Sequence, residues 1–161
     1  MATGWGFDPK TGSWCYADAS GALRTGWFQK NSVWYLLGND HLMLTGWQRE
    51  GGSTYYLAES GAMQTQWVLV DGGWYWLGSS GVLHTGWAWL GNNWYYLDPA
   101  QNGRTVTDSA AQVDGIWYAF DASGRMASSG WVLTGGSWYL AEGFRCPQDR
   151  LAARQWCLVL P

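Results

Sequence analysis

Thr85-Gly86-Trp87-Ala88-Trp89-Leu90-Gly91-Asn92-Asn93-Trp94-Tyr95-Tyr96 is the stretch that decides the fold. It opens on Thr-Gly-Trp, passes through Gly and Asn, and closes on an aromatic cluster seven residues after Trp87. Aromatic side chains favour pleated, half-buried strands. Gly and Asn tolerate the positive φ that a tight turn between two strands demands. The stretch therefore reads as a β-hairpin.

Working outward, the same motif returns. Thr-Gly-Trp stands at Thr3-Gly4-Trp5, Thr25-Gly26-Trp27 and Thr45-Gly46-Trp47, with Thr65-Gln66-Trp67 a near copy and Gly130-Trp131 a looser one. Trp27, Trp47, Trp67 and Trp87 follow one another at steps of 20 residues. Second clusters lie at Trp34-Tyr35, Trp74-Tyr75-Trp76 and Trp138-Tyr139, while Thr54 takes the tryptophan slot before Tyr55-Tyr56. Turn residues such as Asp71-Gly72-Gly73 divide each pair of strands, and Glu59-Ser60-Gly61 or Ser79-Ser80-Gly81 follows. A lone hairpin is marginal in water, so successive units must stack to bury their aromatic faces. The expected fold is all-β, an elongated solenoid or superhelix of stacked hairpin repeats of about 20 residues. Two units deviate: the first has two extra residues between Trp5 and Trp14, and the sixth has Val106-Thr107 where Gly-Trp is expected, keeping Trp117-Tyr118.

About seven repeats are expected over residues 1–142, followed by a non-repeat tail, 143–161. Shifting the tail by one base restores the motif. Asp149-Arg150-Leu151-Ala152 can be coded GAC CGG CTG GCT, whose next frame holds Thr-Gly-Trp, and Leu158-Val159-Leu160-Pro161 can hide Trp-Tyr-Tyr. The tail thus reads as a frameshifted eighth repeat. At the other end, Met1-Ala2-Thr3-Gly4-Trp5 occupies the place that Met63-Gln64-Thr65-Gln66-Trp67 has inside the array, and Met1 to Lys10 carries no signal-peptide pattern. The expectation is a piece of a longer protein.

Composition narrows the function. The chain has 15 Trp, 9 Tyr and 23 Gly, only 13% charged residues and a formal charge of −3. That balance gives no electrostatic footprint for nucleic acid, and no apolar run approaches a membrane span, so neither nucleic-acid binding nor membrane insertion is expected. Cys15, Cys146 and Cys157 have no metal-ligand spacing, and Cys15 reads as a buried thiol. His41 and His84 sit in linkers and read as solvent-facing, while Asp18, Glu59 and Asp121 read as turn acids. No catalytic constellation, metal site or cofactor motif emerges, and an enzyme is not expected.

The pattern Thr-Gly-Trp, then Gly-x-Trp-Tyr-Tyr, then Gly-x-Met/Leu resembles the choline-binding, or cell-wall-binding, repeat family. Related repeats occur in glucan-binding proteins and at the receptor-binding ends of clostridial toxins. The resemblance implies a hairpin superhelix whose ligand rests in aromatic boxes between successive hairpins, often closed by Met or Leu. Carried over by motif position, the boxes are Trp27, Trp34 and Tyr55 with Met63; Trp67, Trp74 and Tyr95 with Leu83; and Trp87, Trp94 and Tyr118 with Met126. The box beginning at Trp47 has Thr54 in place of a wall, and one beginning at Thr107 lacks its first wall.

The chemistry suits such boxes. A quaternary ammonium cannot donate a hydrogen bond, so aromatic faces are its natural recognition element, each worth roughly 1–2 kcal/mol once desolvated. Three walls, less the cost of immobilising the ligand, leave ~4 kcal/mol, which is about millimolar. Linked sites on a polymer raise avidity by roughly 10²–10⁴. The expected function is an extracellular, cell-wall-associated module that anchors a larger protein, with choline on teichoic acid as partner. The alternatives are a glucan- or glycan-binding repeat using the same rings with polar groups, and a structural spacer or adhesin stalk.

Overall fold

The computed structural model describes residues 3–141, and the frameshifted-repeat reading of 143–161 lies outside them. Among the described residues, fifteen strands and one 3-10 turn, Pro99–Gln101, make up the regular structure. The strands are β1 Gly4–Asp8, β2 Ser13–Ala17, β3 Gly26–Lys30, β4 Val33–Leu37, β5 Gly46–Glu50, β6 Ser53–Leu57, β7 Gln66–Val70 and β8 Gly73–Leu77. They continue as β9 Gly86–Leu90, β10 Asn93–Asp98, β11 Arg104–Thr105, β12 Ser109–Val113, β13 Ile116–Phe120, β14 Gly130–Thr134 and β15 Ser137–Ala141. Each consecutive pair from β1–β2 to β7–β8, then β12–β13 and β14–β15, is its own two-stranded sheet, while β9, β10 and β11 form a three-stranded one. Among the described residues no closed barrel forms.

The turns explain the hairpins. Six of the hairpin connections are two residues long with φ positive at both: Asn31 and Ser32, Gly51 and Gly52, Asp71 and Gly72, Gly91 and Asn92, Asp114 and Gly115, Gly135 and Gly136. That geometry matches the right-handed twist of the strands, and Gly, Asn and Asp bear it at least cost. The extra residues of the first unit are taken up in its turn, where the Asp8 carboxylate accepts from the Lys10 amide at 2.9 Å and the Thr11 hydroxyl at 3.0 Å.

The chain divides into two compact units. The first holds the residues up to Val68 with Leu77–Leu83, the second Leu69–Trp76 with the residues from His84 onward. Within each, hairpins stack through a recurring backbone bond. In the first unit the amides of Met43, Met63 and Leu83 donate to the carbonyls of Trp14, Trp34 and Thr54 at 2.7, 2.9 and 2.8 Å. In the second, Met126 donates to Trp94 at 2.8 Å. Beneath these bonds lies the core. The closing residue of the second strand is sealed in unit after unit, Leu37, Leu57 and Leu77 in the first and Leu97 and Phe120 in the second. Most of these pair with a linker residue, as in Leu37 with Met43, Leu57 with Met63 and Phe120 with Met126. Burying each such side chain contributes about 1.5–3 kcal/mol.

One expectation about phase is corrected. Trp27 lies opposite Leu36, and the equivalent pair in the sixth hairpin is Ala110 opposite Ala119. Ser109-Ala110, not Val106-Thr107, therefore fills the Gly-Trp slot. The longer connection carrying Pro99–Gln101 and β11 sets the strand back by three positions.

Candidate ligand-binding boxes

The walls of a box come from alternation within a strand and from stacking between hairpins. In β3–β4, Trp27 opposes Leu36 and Gln29 opposes Trp34, so Trp27, Gln29, Trp34 and Leu36 share one face of the sheet. Trp27 and Trp34 stand nearly perpendicular, with centroids 6.5 Å apart at 81°. Tyr55, from the next hairpin, closes on Trp27 at 4.9 Å. The bond from the Met63 amide to the Trp34 carbonyl places Met63 beside the same tryptophan. The four residues expected at this box are thus brought together, and Trp34 remains 41% exposed.

In the second unit the arrangement recurs. Trp87 and Trp94 meet at 6.2 Å and 89°, Tyr118 closes on Trp87 at 4.7 Å, and Met126 is tied to Trp94. Burial, and after it the charge of Asp114, holds the Tyr118 phenol above its ordinary value, so the wall is a neutral ring at physiological pH.

Trp67 lies on β7 in the first unit, whereas Trp74 on β8 and Tyr95 on β10 belong to the second. Leu83 is tied to Thr54 of β6, so it stands where Met63 stands for Trp34, beside the hairpin that lacks a tryptophan wall. The grouping of Leu83 with Trp67 and Trp74 is therefore corrected by one repeat. The position equivalent to Met63 after β10 is Thr105, since Leu97 pairs with Thr105 as Leu57 pairs with Met63.

A further box escaped the sequence reading. Trp5 meets Tyr35 at 5.0 Å and 68°, and Met43 is bonded to the carbonyl of Trp14. Trp14, 44% exposed, stands opposite Phe7 with rings 5.3 Å apart. These residues occupy the same places as Trp27, Tyr55, Met63 and Trp34. The repeat carried the signal, but the longer first turn obscured it. Beside this box, Lys30 Nζ lies 5.7 Å from the Tyr16 ring and Arg24 Cζ 5.9 Å from Phe28, both within reach of a cation–π attraction.

Other candidates stay peripheral. His84 is exposed, whereas His41 is half-buried, holds φ at 67° and sets Nδ1 3.2 Å from the Arg24 carbonyl. Cys15 is partly buried and its thiol donates to Gly6 O at 3.4 Å. Asp18 accepts from the Ser20 hydroxyl and amide and from Ala22, which draws its carboxyl below the usual value. Among the described residues no group of three or more His, Cys, Asp or Glu is placed to hold a metal, and no helix is long and apolar enough to cross a membrane.

The profile of the choline-binding repeat matches residues 44–83 and 84–131, more than half of the sequence, and that of a putative cell wall binding repeat matches 25–40. The chain belongs to the choline-binding repeat family. Among solved structures it is similar to CbpJ from Streptococcus pneumoniae, at 36% identity and TM-score 0.77 over 88% of this chain and 50% of that one. It is similar also to choline binding protein F from Streptococcus pneumoniae, at 40% identity and TM-score 0.77 over 85% of this chain and 47% of that one. A third likeness is the multimodular pneumococcal cell wall endolysin from phage Cp-1 complexed with choline, at 33% identity and TM-score 0.56, covering 78% and 37%. The chain therefore spans about half the length of the first two and a smaller share of the endolysin. A search of curated proteins finds no significant match.

Proposed function

We propose that this choline-binding repeat array, the hairpins of residues 1–142, is a non-catalytic module that anchors a larger extracellular protein to the cell wall. Its ligand is choline displayed on a wall polymer such as teichoic acid. The observation that carries the reading is the Trp27 box: two nearly perpendicular indoles and a tyrosine from the next hairpin, with Met63 tied to Trp34 and that indole 41% exposed. A trimethylammonium group is attracted to each ring face and needs no hydrogen-bond acceptor, so walls of this kind suffice to hold it. The Trp5 box repeats the design, and the Trp87 box repeats its set of rings with the second tryptophan buried. Choline-bound and peptidoglycan-analogue-bound structures are known for similar proteins, the phage Cp-1 endolysin and choline binding protein F respectively. Boxes that are individually weak hold a polymer well because linked sites multiply.

Titrating tryptophan fluorescence with choline, and in parallel with glucose oligomers, tests this. The expected result is a saturable change with choline at about millimolar concentration, reduced by Trp27→Ala plus Trp34→Ala. A response to the sugars and none to choline would move the module to the glycan-binding class. Silence to both, in a chain shown to be folded, would leave it a spacer.

A further inference from the structure

The Trp87 box differs from the Trp27 box in one respect that the shared motif conceals. Trp34 is 41% exposed, whereas Trp94, the same wall, is 7% exposed. The cross-strand partner differs at the same place. Residue 29, opposite Trp34, is a glutamine, but the residue opposite Trp94 is Trp89, and the two indoles meet at 5.3 Å and 55°. Trp94 also meets Trp87 diagonally across the hairpin at 6.2 Å. It is held between two indoles of one strand, as expected of residues two apart on a single sheet face. A single opposing ring does not produce this burial, for Phe7 faces Trp14 and leaves it 44% exposed. Trp89 itself remains 54% exposed, so solvent rather than further packing covers its outer side.

We infer that Trp89 is the gate of the Trp87 box: it shuts the Trp94 wall against ligand, and this box fills only when Trp89 is displaced. The inference rests on the ammonium-binding reading, and it deepens it by ranking the sites. The Trp5 and Trp27 boxes are open and fill first. The Trp87 box is held in reserve and takes up choline only at higher concentration.

The test labels the full chain with 5-fluorotryptophan and follows fluorine NMR, with Trp34 and Trp94 assigned from the resonances lost in Trp34→Phe and Trp94→Phe. A soluble paramagnet reads solvent access with no ligand present, and choline is then titrated. In the unaltered protein, the paramagnet broadens Trp34 and spares Trp94, and choline shifts Trp34 at concentrations that leave Trp94 unmoved. In Trp89→Gln, which copies Gln29, Trp94 becomes sensitive to both. Trp89→Leu, which copies Leu69 and Leu133 in the same strand position, is the second variant should the first unfold. Trp94 shifting together with Trp34 in the unaltered protein, or staying protected in both folded variants, overturns the gate. If choline moves no resonance at all, the ammonium reading falls with it, and the paramagnet alone still decides whether Trp89 closes Trp94.

Discussion

The backbone amide of Met63 donates to the carbonyl of Trp34 at 2.9 Å, while the Met63 side chain packs against Gly81 of the next linker. One residue thereby joins a box wall to the hairpin stack. Gly81 has φ +80°, and a Cβ there would come within 2.5 Å of Met63 Sδ. Gly86 has φ +85°, and a Cβ there would meet only open space. Gly86→Ala should cost only left-handed strain, about 1–2 kcal/mol. Gly81→Ala should cost that plus the displacement of Met63, a further ~1 kcal/mol or more, and should weaken ligand binding at the Trp27 box. Urea unfolding of both variants checks this; equal losses would mean that Met63 yields freely.

Walls and core should separate under mutation. Leu57 is fully buried, so Leu57→Ala is expected to lower stability by about 2–5 kcal/mol. Trp34 is 41% exposed, and its carbonyl bond to Met63 survives truncation. Trp34→Ala should therefore change the urea midpoint little and weaken choline binding at its own box roughly tenfold, the worth of one aromatic face. A large stability loss in Trp34→Ala would make that indole a packing residue.

Thr105 occupies the linker place that Met43, Met63 and Leu83 hold elsewhere, and its hydroxyl is buried with no hydrogen-bond partner. An unsatisfied buried hydroxyl costs about 1–3 kcal/mol. Thr105→Val keeps the branched shape and removes the cost, so the thermal midpoint should rise, corresponding to ~1 kcal/mol. A fall would show that the hydroxyl has a partner in solution.

Much of this was legible in the sequence. Gly, Asn and Asp at the turns and the spacing of Trp27, Trp47, Trp67 and Trp87 were enough for the hairpins, because local φ preferences and strand alternation act over a few residues. The grouping of Trp27, Trp34, Tyr55 and Met63 was implied by the resemblance to choline-binding repeats and carried over by motif position. Longer-range facts did not. Which hairpin a linker folds back upon is decided by tertiary hydrogen bonds, so motif position alone sets Leu83 one repeat late. The sixth repeat is misphased when it is counted from Thr105, because Trp117 is the fixed point: an extended connection upstream moves the threonine and leaves the hairpin register intact. The burial of Trp94 depends on Trp89 lying opposite it, a fact of register that composition does not carry.

The Tyr118 wall gives an alkaline limit. Burial first, then Asp114, raises its pKa above 10, and Tyr96 shifts the same way through burial, Asp98 and Asp114. A raised pKa means that the fold favours the neutral phenol. The associated stability is fully present below the unfolded value of about 10 and is lost as pH climbs through the higher folded value. Thermal midpoints should therefore stay flat on this account up to about pH 9 and fall above about pH 10. Tyr118→Phe and Tyr96→Phe together should flatten that fall, and the phenolate absorbance that develops last on raising the pH should be missing from the double variant. An alkaline loss of the same size in the double variant would place its origin elsewhere.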